Sequence, residues 1–248
     1  MAAPFRVLIF SRTTAYRHDS IPAGIRALYR LASTSASGAH PFTADDSEDP
    51  SVFNPASLSA YRVIVLLQCS GDFLDGAQLA ALKGFVQSGG GVVAVHCASF
   101  AMQSSEWYGR LIGGVFDNHP EPQLGRVRIL DSKHPIMTCH CSQTGRNSRT
   151  DEGSELAETE RTWMDEWYNF KAHPRATSDC LNMLLAVDEK SYDGGVHGDD
   201  HPIAWCQTFD GGRCFYTSLG HFDEAYEEDW FMGQLLGGIL WTAGVAGN

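Results

Sequence analysis

The chain has 248 residues, of which 43% are hydrophobic and 19% charged, so it can bury a sizeable core and is not disordered throughout. Its formal net charge of −12 argues against nucleic acid and anionic membranes, because both call for a basic surface. "MAAPFRVLIF" has no basic region leading into a signal segment, and no run nears the roughly 18 apolar residues of a membrane span. A cytoplasmic protein is expected, with residues 1–248 as one domain because no Pro- or Ser-rich linker divides them. Seven cysteines at irregular spacing fit reduced thiols better than a disulfide framework. The "CHC" at 139–141 lacks a second Cys/His pair at zinc-finger spacing.

Phe5 to Phe10 is a nearly continuous apolar run, as in a parallel strand covered on both faces. After the loop "SRTTAYRHDS", Ile21, Ile25, Leu28 and Leu31 fall at helical spacing, with Ser20 as cap and Pro22 near the start. An acidic, turn-rich segment follows, with room for a short strand at 40–44. "YRVIVLLQ" then reads as a buried strand, and "LDGAQLAALKGFVQSGGG" as a helix ended by glycines. "GGGVVAVHCASF" is the central strand. Its four residues Val92 to Val95 are too few for a helix and rich in β-branched valine, and a histidine and a cysteine sit at its carboxyl end. "SSEWYGRLIGGVF" gives a short helix, "GRVRIL" a strand, and 139–161 a polar insertion expected to be a surface loop. Strands are expected at "WYNF", "LNMLLAV", "IAWCQ" and "RCFYTS", then a helix over 229–243.

Apolar strands alternating with helices indicate an α/β fold with a doubly wound, mostly parallel sheet flanked by helices, and the late run of strands an antiparallel edge extension. In such sheets ligands gather at the carboxyl ends of the strands. That edge collects His18 after the first strand, His96 after the central one, His119 in "GGVFDNHPEPQ", Glu166 before "WYNF" and His221 in "SLGHFDE". The first strand is expected beside the Gly-rich strand, bringing His18 and His96 to one cleft. Imidazoles and a carboxylate serve as proton-transfer groups or as ligands of a divalent transition metal such as zinc, manganese or iron. Each also has an ordinary structural reading, as a hydrogen-bonded loop residue or a satisfied core histidine. His134, His173 and His201 precede prolines in turns and are read as structural. Cys97 offers a different chemistry, a thiol at a strand-to-helix turn with His221 and Asp223 or Glu224 as partners. A small buried cysteine is the commoner role.

"VLIFSRTTAYRHDSI", "GGGVVAVHCASF", "YGRLIGGVFDNHP", "DEWYNF", "HPIAWCQTFDGGRCFYTSLGH" and "LLGGILWTAG" resemble, in this order, the trehalose-utilisation, or ThuA-like, family. The resemblance implies a fold related to class I glutamine amidotransferases, with a flavodoxin-like sheet, and a role in carbohydrate metabolism that includes 3-keto sugars. His18, His96, His119, Glu166 and His221 match the family's recurrent polar positions; Cys97 stands where many members carry a small residue. The expected function is a hydrolase or lyase acting on a small sugar derivative. His96, Glu166 and His221 would be catalytic, and His96, His119, Glu166 and His221 the metal set. His18, Trp107, Tyr168 and Tyr216 would bind substrate, the aromatics by stacking. No nucleotide cofactor is expected, and a homo-oligomer is compatible with the chain. A Cys97-dependent amidase and a non-catalytic ligand-binding domain are the rival readings.

Overall fold

The structure is a computed structural model that describes residues 4–35, 38–139 and 159–246. In chain order the elements are β1 (Phe5–Phe10), α1 (Ile21–Ser35), β2 (Phe42–Ser47), α2 (Pro55–Leu58), β3 (Val63–Leu67), α3 (Gly76–Gln87), β4 (Gly91–Val95), α4 (Glu106–Ile112), β5 (Phe116–Asn118) and β6 (Gln123–Ile129). They continue with β7 (Glu160–Asp165), β8 (Asn169–Phe170), α5 (Pro174–Thr177), β9 (Asn182–Asp188), β10 (His201–Phe209), β11 (Gly212–Thr217) and α6 (Asp229–Thr242).

Nine strands form one sheet in the order β2-β1-β3-β4-β11-β10-β9-β6-β7. The half from β2 to β11 is parallel, in the flavodoxin order, and the half from β11 to β7 is antiparallel. The extension is therefore as wide as the parallel half. Alternate strand residues serve two cores. Val7, Ile9, Val65, Val93 and Phe215 pack under α1 and α6, and Leu8, Ile64, Leu66, Val92 and Ala94 under α3 and α4. Burial on both faces is why these strands read as solid apolar runs.

Three expectations are corrected. β1 does not lie beside β4: β3 intervenes, because α1 carries the chain outward to β2 and the next crossover returns it to the other side of β1. "WYNF" is not one strand; β7 ends at Asp165, and Asn169–Phe170 pairs with β5 in a separate two-stranded sheet. Glu160 and Arg161 belong to β7 rather than to a surface loop, since they pair with Arg128 and Val127. The rest of that loop reading lies outside the described residues at 140–158, as do His140 and Cys141 of the "CHC".

The antiparallel half is not flat. Four strand spacings separate β7 from β11, about 19 Å in a plane, yet the Asp165 carboxylate at the end of β7 lies 2.9 Å from the Gly220 amide beyond β11. Twist and the register shifts of β10 at Pro202 to Trp205 bend the extension. Trp163 of β7 consequently packs against Trp230 and Phe231 of α6. Among the described residues no helix is long and apolar enough to cross a membrane.

Two glycines near the amino edge of the sheet test this packing. A Cβ on Gly91 would come within 2.6 Å of the Thr242 carbonyl oxygen, whereas one on Gly84, exposed in α3, meets nothing within 4 Å. Gly91→Ala is expected to lower stability by about 2 kcal/mol through overpacking, and Gly84→Ala to raise it by about 0.5–1 kcal/mol. Urea unfolding of both variants checks the pair.

Candidate active site

Three adjacent parallel strands end in pinned loops. Beyond β1, the Thr14 amide donates to the Ser70 carbonyl at 2.9 Å and Ser70 Oγ donates to the Tyr16 carbonyl at 2.6 Å, fixing the loop that delivers His18 over the end of β3. After β3, Gln68 adopts a left-handed backbone (φ 52°) and donates from Nε2 to the Gly220 carbonyl at 2.6 Å. After β4, His96 is also left-handed (φ 55°) and opens a short 3₁₀ turn, His96–Phe100. Such a backbone is costly for a non-glycine residue and persists where the surroundings enforce it, often at functional sites.

The turn that a strand-elbow enzyme would give its nucleophile is thus taken by His96. Its Nδ1–H donates to the Ser218 carbonyl at 2.6 Å, because a carbonyl only accepts, and Nε2 faces inward. There it meets His18 Nε2 at 3.0 Å and the Tyr168 hydroxyl at 2.9 Å. Cys97 turns under the crest instead, its Sγ donating to the Gln68 carbonyl at 3.1 Å. Burial pushes the thiol well above its ordinary range, and its Sγ also lies 3.4 Å from His18 Nδ1.

Glu166 gathers the histidines on both carboxylate oxygens. Oε2 lies 3.2 Å from His221 Nδ1, 3.3 Å from His96 Nε2 and 3.9 Å from His18 Nε2. Oε1 lies 3.5 Å from His119 Nε2. One ligand atom from each of His18, His96, Glu166 and His221 falls within 4.8 Å of the others. His119 stands on the opposite side of the carboxylate, so His18 rather than His119 completes the inner group. Side-chain exposure rises from 0% at His96 to 17% at His221 and 33% at His119, which marks the open side.

Charge follows from this packing. Burial disfavours the Glu166 anion, but the three inner histidines outweigh it and hold its carboxyl well below the usual range. Burial lowers His18 to about 4 despite Glu166, so His18 is neutral at physiological pH. Burial lowers His221 too, yet Glu166, Asp165 and Asp19 overcome it and the net shift is upward.

Neighbouring groups hold these side chains in place. The buried Asp165 carboxylate accepts from the amides of Gly220 (2.9 Å), His221 (3.2 Å) and Glu166 (3.0 Å) and from Trp163 Nε1 (3.0 Å). Burial raises its pKa, but a group with these four donors must act as an acceptor. Tyr168 to Phe170 are pinned from the extension: His201 Nε2 donates to the Tyr168 carbonyl at 2.8 Å, and the Phe170 amide donates to His197 Nε2 at 3.0 Å.

Of the aromatics expected to stack on substrate, Trp107 and Tyr216 lie away from the cleft and Tyr168 lies within the site. Trp107 donates to Asp210 in the β10–β11 turn, at the opposite edge of the sheet. Tyr216 is fully buried beneath the site, its hydroxyl bonded to Ser99 and the His96 carbonyl. Tyr168 is also buried and meets the site through its hydroxyl. The sequence reading missed the supporting work of Gln68 and Asp165 and the exposed Tyr16 ring, edge-on to His18 at 4.7 Å. Only Tyr16 carried a signal, an aromatic two residues before a candidate histidine.

A nine-stranded sheet with a flavodoxin-ordered half and a three-histidine, one-carboxylate crest defines a class of α/β proteins with a polar centre at the strand ends. The sequence pattern of the ThuA family, described as trehalose utilisation, matches residues 6–242, and the chain belongs to that family. The fold is similar to that of a ThuA-like protein from Bacteroides uniformis (22% identity, TM-score 0.73, covering 98% of this chain and 93% of that one). A ThuA-like protein from Parabacteroides merdae is similar at 18% identity and TM-score 0.72, covering 99% and 92%. A cytoplasmic protein from Salmonella typhimurium follows at 11% identity and TM-score 0.58, covering 98% and 99%. No curated protein sequence matches the chain.

Two outcomes follow from the supporting groups. Asp165→Asn presents an amide N–H to at least one of four donors, so stability is expected to fall by about 2–4 kcal/mol in urea unfolding; a loss under 1 kcal/mol would deny Asp165 this role. His197 must be neutral to accept from Phe170, and burial lowers it to about 4. Its contribution is complete above the ordinary value of 6.5 and is lost as pH falls toward 4. Between pH 7.5 and 4.5 the wild type should lose about 1 kcal/mol more stability than His197→Gln, solvent screening of this half-exposed ring reducing the effect, read from urea unfolding at both pH values.

Proposed function

We propose that the chain is an enzyme of carbohydrate metabolism acting on a small sugar derivative such as a 3-keto-glycoside, with a divalent transition metal held by His18, His96, Glu166 and His221. The observation that carries this reading is the convergence of four ligand atoms within 4.8 Å. The donor set fits a cation. His221 Nδ1 is buried and makes no aligned hydrogen bond even 3.2 Å from Glu166, and His96 is oriented from behind by the Ser218 carbonyl, as metal-bound histidines commonly are. Three imidazoles and a carboxylate suit zinc, manganese or iron, and metal uptake would expel any proton on the ligating nitrogens.

When bound, the ion would supply a Lewis acid for a carbonyl or enolate oxygen. The chain's own groups divide the remaining work. Glu166, His18, His96 and His221 would be committed to the ion, which leaves the carbon-bound proton to a group outside that set. His119 is better placed. Its Nδ1–H donates to the Pro120 carbonyl at 2.9 Å, which leaves the Nε2 lone pair toward the centre, at the open side. A 3-keto-glycoside has an acidified C–H beside its carbonyl. His119 removes that proton, the electron pair forms the enolate, and the glycosidic oxygen leaves by elimination with a proton returned to it. The cytoplasmic description of the Salmonella relative supports the same location here.

Elemental analysis and turnover of a 3-keto-glucoside test the reading together. Wild-type protein is expected to hold about one equivalent of metal, and His18→Ala or His96→Ala to weaken metal affinity about 100-fold or more. His119→Ala should keep the metal and lose turnover about 100-fold. Protein that purifies metal-free and turns over unchanged in chelator would replace the metal with an imidazole and carboxylate acid–base centre.

A further inference from the structure

A large exposed aromatic stands beside the centre: Tyr16 is 63% exposed, although its backbone is held by the neighbouring loop. Its carbonyl accepts from Ser70 Oγ at 2.6 Å, and Thr13 bridges to Ser70. Gly71, left-handed at φ 68°, lets the two loops meet, since a Cβ there would strike Thr14 Oγ1. The ring stands edge-on to His18, with centroids 4.7 Å apart at 79°. A pinned aromatic whose ring remains in solvent beside a polar centre is suited to stack on a flat apolar face such as that of a pyranose.

The charge around the opening narrows the occupant. Exposed carboxylates follow or precede the site residues: Asp19 beside His18, Asp117 near His119, and Asp223 and Glu224 after His221. Arg17, the cation next to His18, is drawn to Glu48 at 2.6 Å. A phosphate or uronate seated against His18 and Tyr16 would have the exposed Asp19 carboxylate next in the chain, while the neighbouring guanidinium is engaged by Glu48.

Resting on the carbohydrate reading above, we infer that Tyr16 is the stacking platform of this site and that the sugar it seats is uncharged rather than phosphorylated or acidic. Saturation-transfer NMR titrations of the full chain with trehalose and with glucose 6-phosphate test this, alongside melting temperature and metal content. Trehalose is expected to bind wild type, Tyr16→Phe to stay within about twofold, and Tyr16→Ala to bind about tenfold more weakly with melting temperature and metal content unchanged. Glucose 6-phosphate should show no transfer. An unaltered trehalose affinity in Tyr16→Ala overturns the platform, and tighter binding of glucose 6-phosphate than of trehalose overturns the uncharged class. A wild type that binds neither sugar removes the carbohydrate reading itself, which distinguishes that failure from the other two.

Discussion

The Asp165 carboxylate is the contact on which the crest depends. It sits at the end of the outermost strand of the antiparallel half, yet accepts the amides of Gly220 and His221 beyond β11, in the middle of the sheet. Those bonds hold the curl of the extension. They also bring Glu166, the next residue, over the ends of the parallel strands. A buried carboxylate would be expensive without partners, and four N–H donors offset that expense. Here one strand of the extension delivers the carboxylate, and the loops after the parallel strands deliver His18, His96 and His221.

Around that contact the site is electrostatically self-consistent. Three imidazoles keep the Glu166 carboxylate anionic, and desolvation keeps the His18 imidazole neutral with a pKa near 4. The same burial that keeps His18 neutral shuts it away from solvent, whereas His119 at the rim retains access to water. The left-handed His96 contributes in another way. By occupying the elbow at the end of β4 it puts an imidazole where the fold can place a nucleophile, and sends the neighbouring thiol into the core.

Much of the fold was legible because both cores are made by local patterning. β3 and β4 are apolar throughout and β1 is so apart from Arg6, and α1 and α3 have capped starts or periodic faces, so their identities rest on nearest neighbours in sequence. The order of β1, β3 and β4 was not legible, since either crossover direction buries the same residues. "WYNF" misled because Trp167 and Tyr168 are buried by tertiary contacts around the crest rather than by a ladder. Trp107 and Tyr216 misled for a related reason: an aromatic side chain looks the same in sequence whether it fills a core or faces a ligand.

By itself the sequence determined the class of fold, the strand ends that bear His18, His96 and His221, and the chemical types available there, since those depend on periodicity and residue identity. It did not determine which imidazoles share an oxygen of Glu166. His18 and His119 are equally plausible in one dimension. Only the curl of the extension and the length of the loop after β1 place His18 on the inner side and His119 on the outer side of one carboxylate, because that choice is made by long-range packing over distances no local pattern encodes.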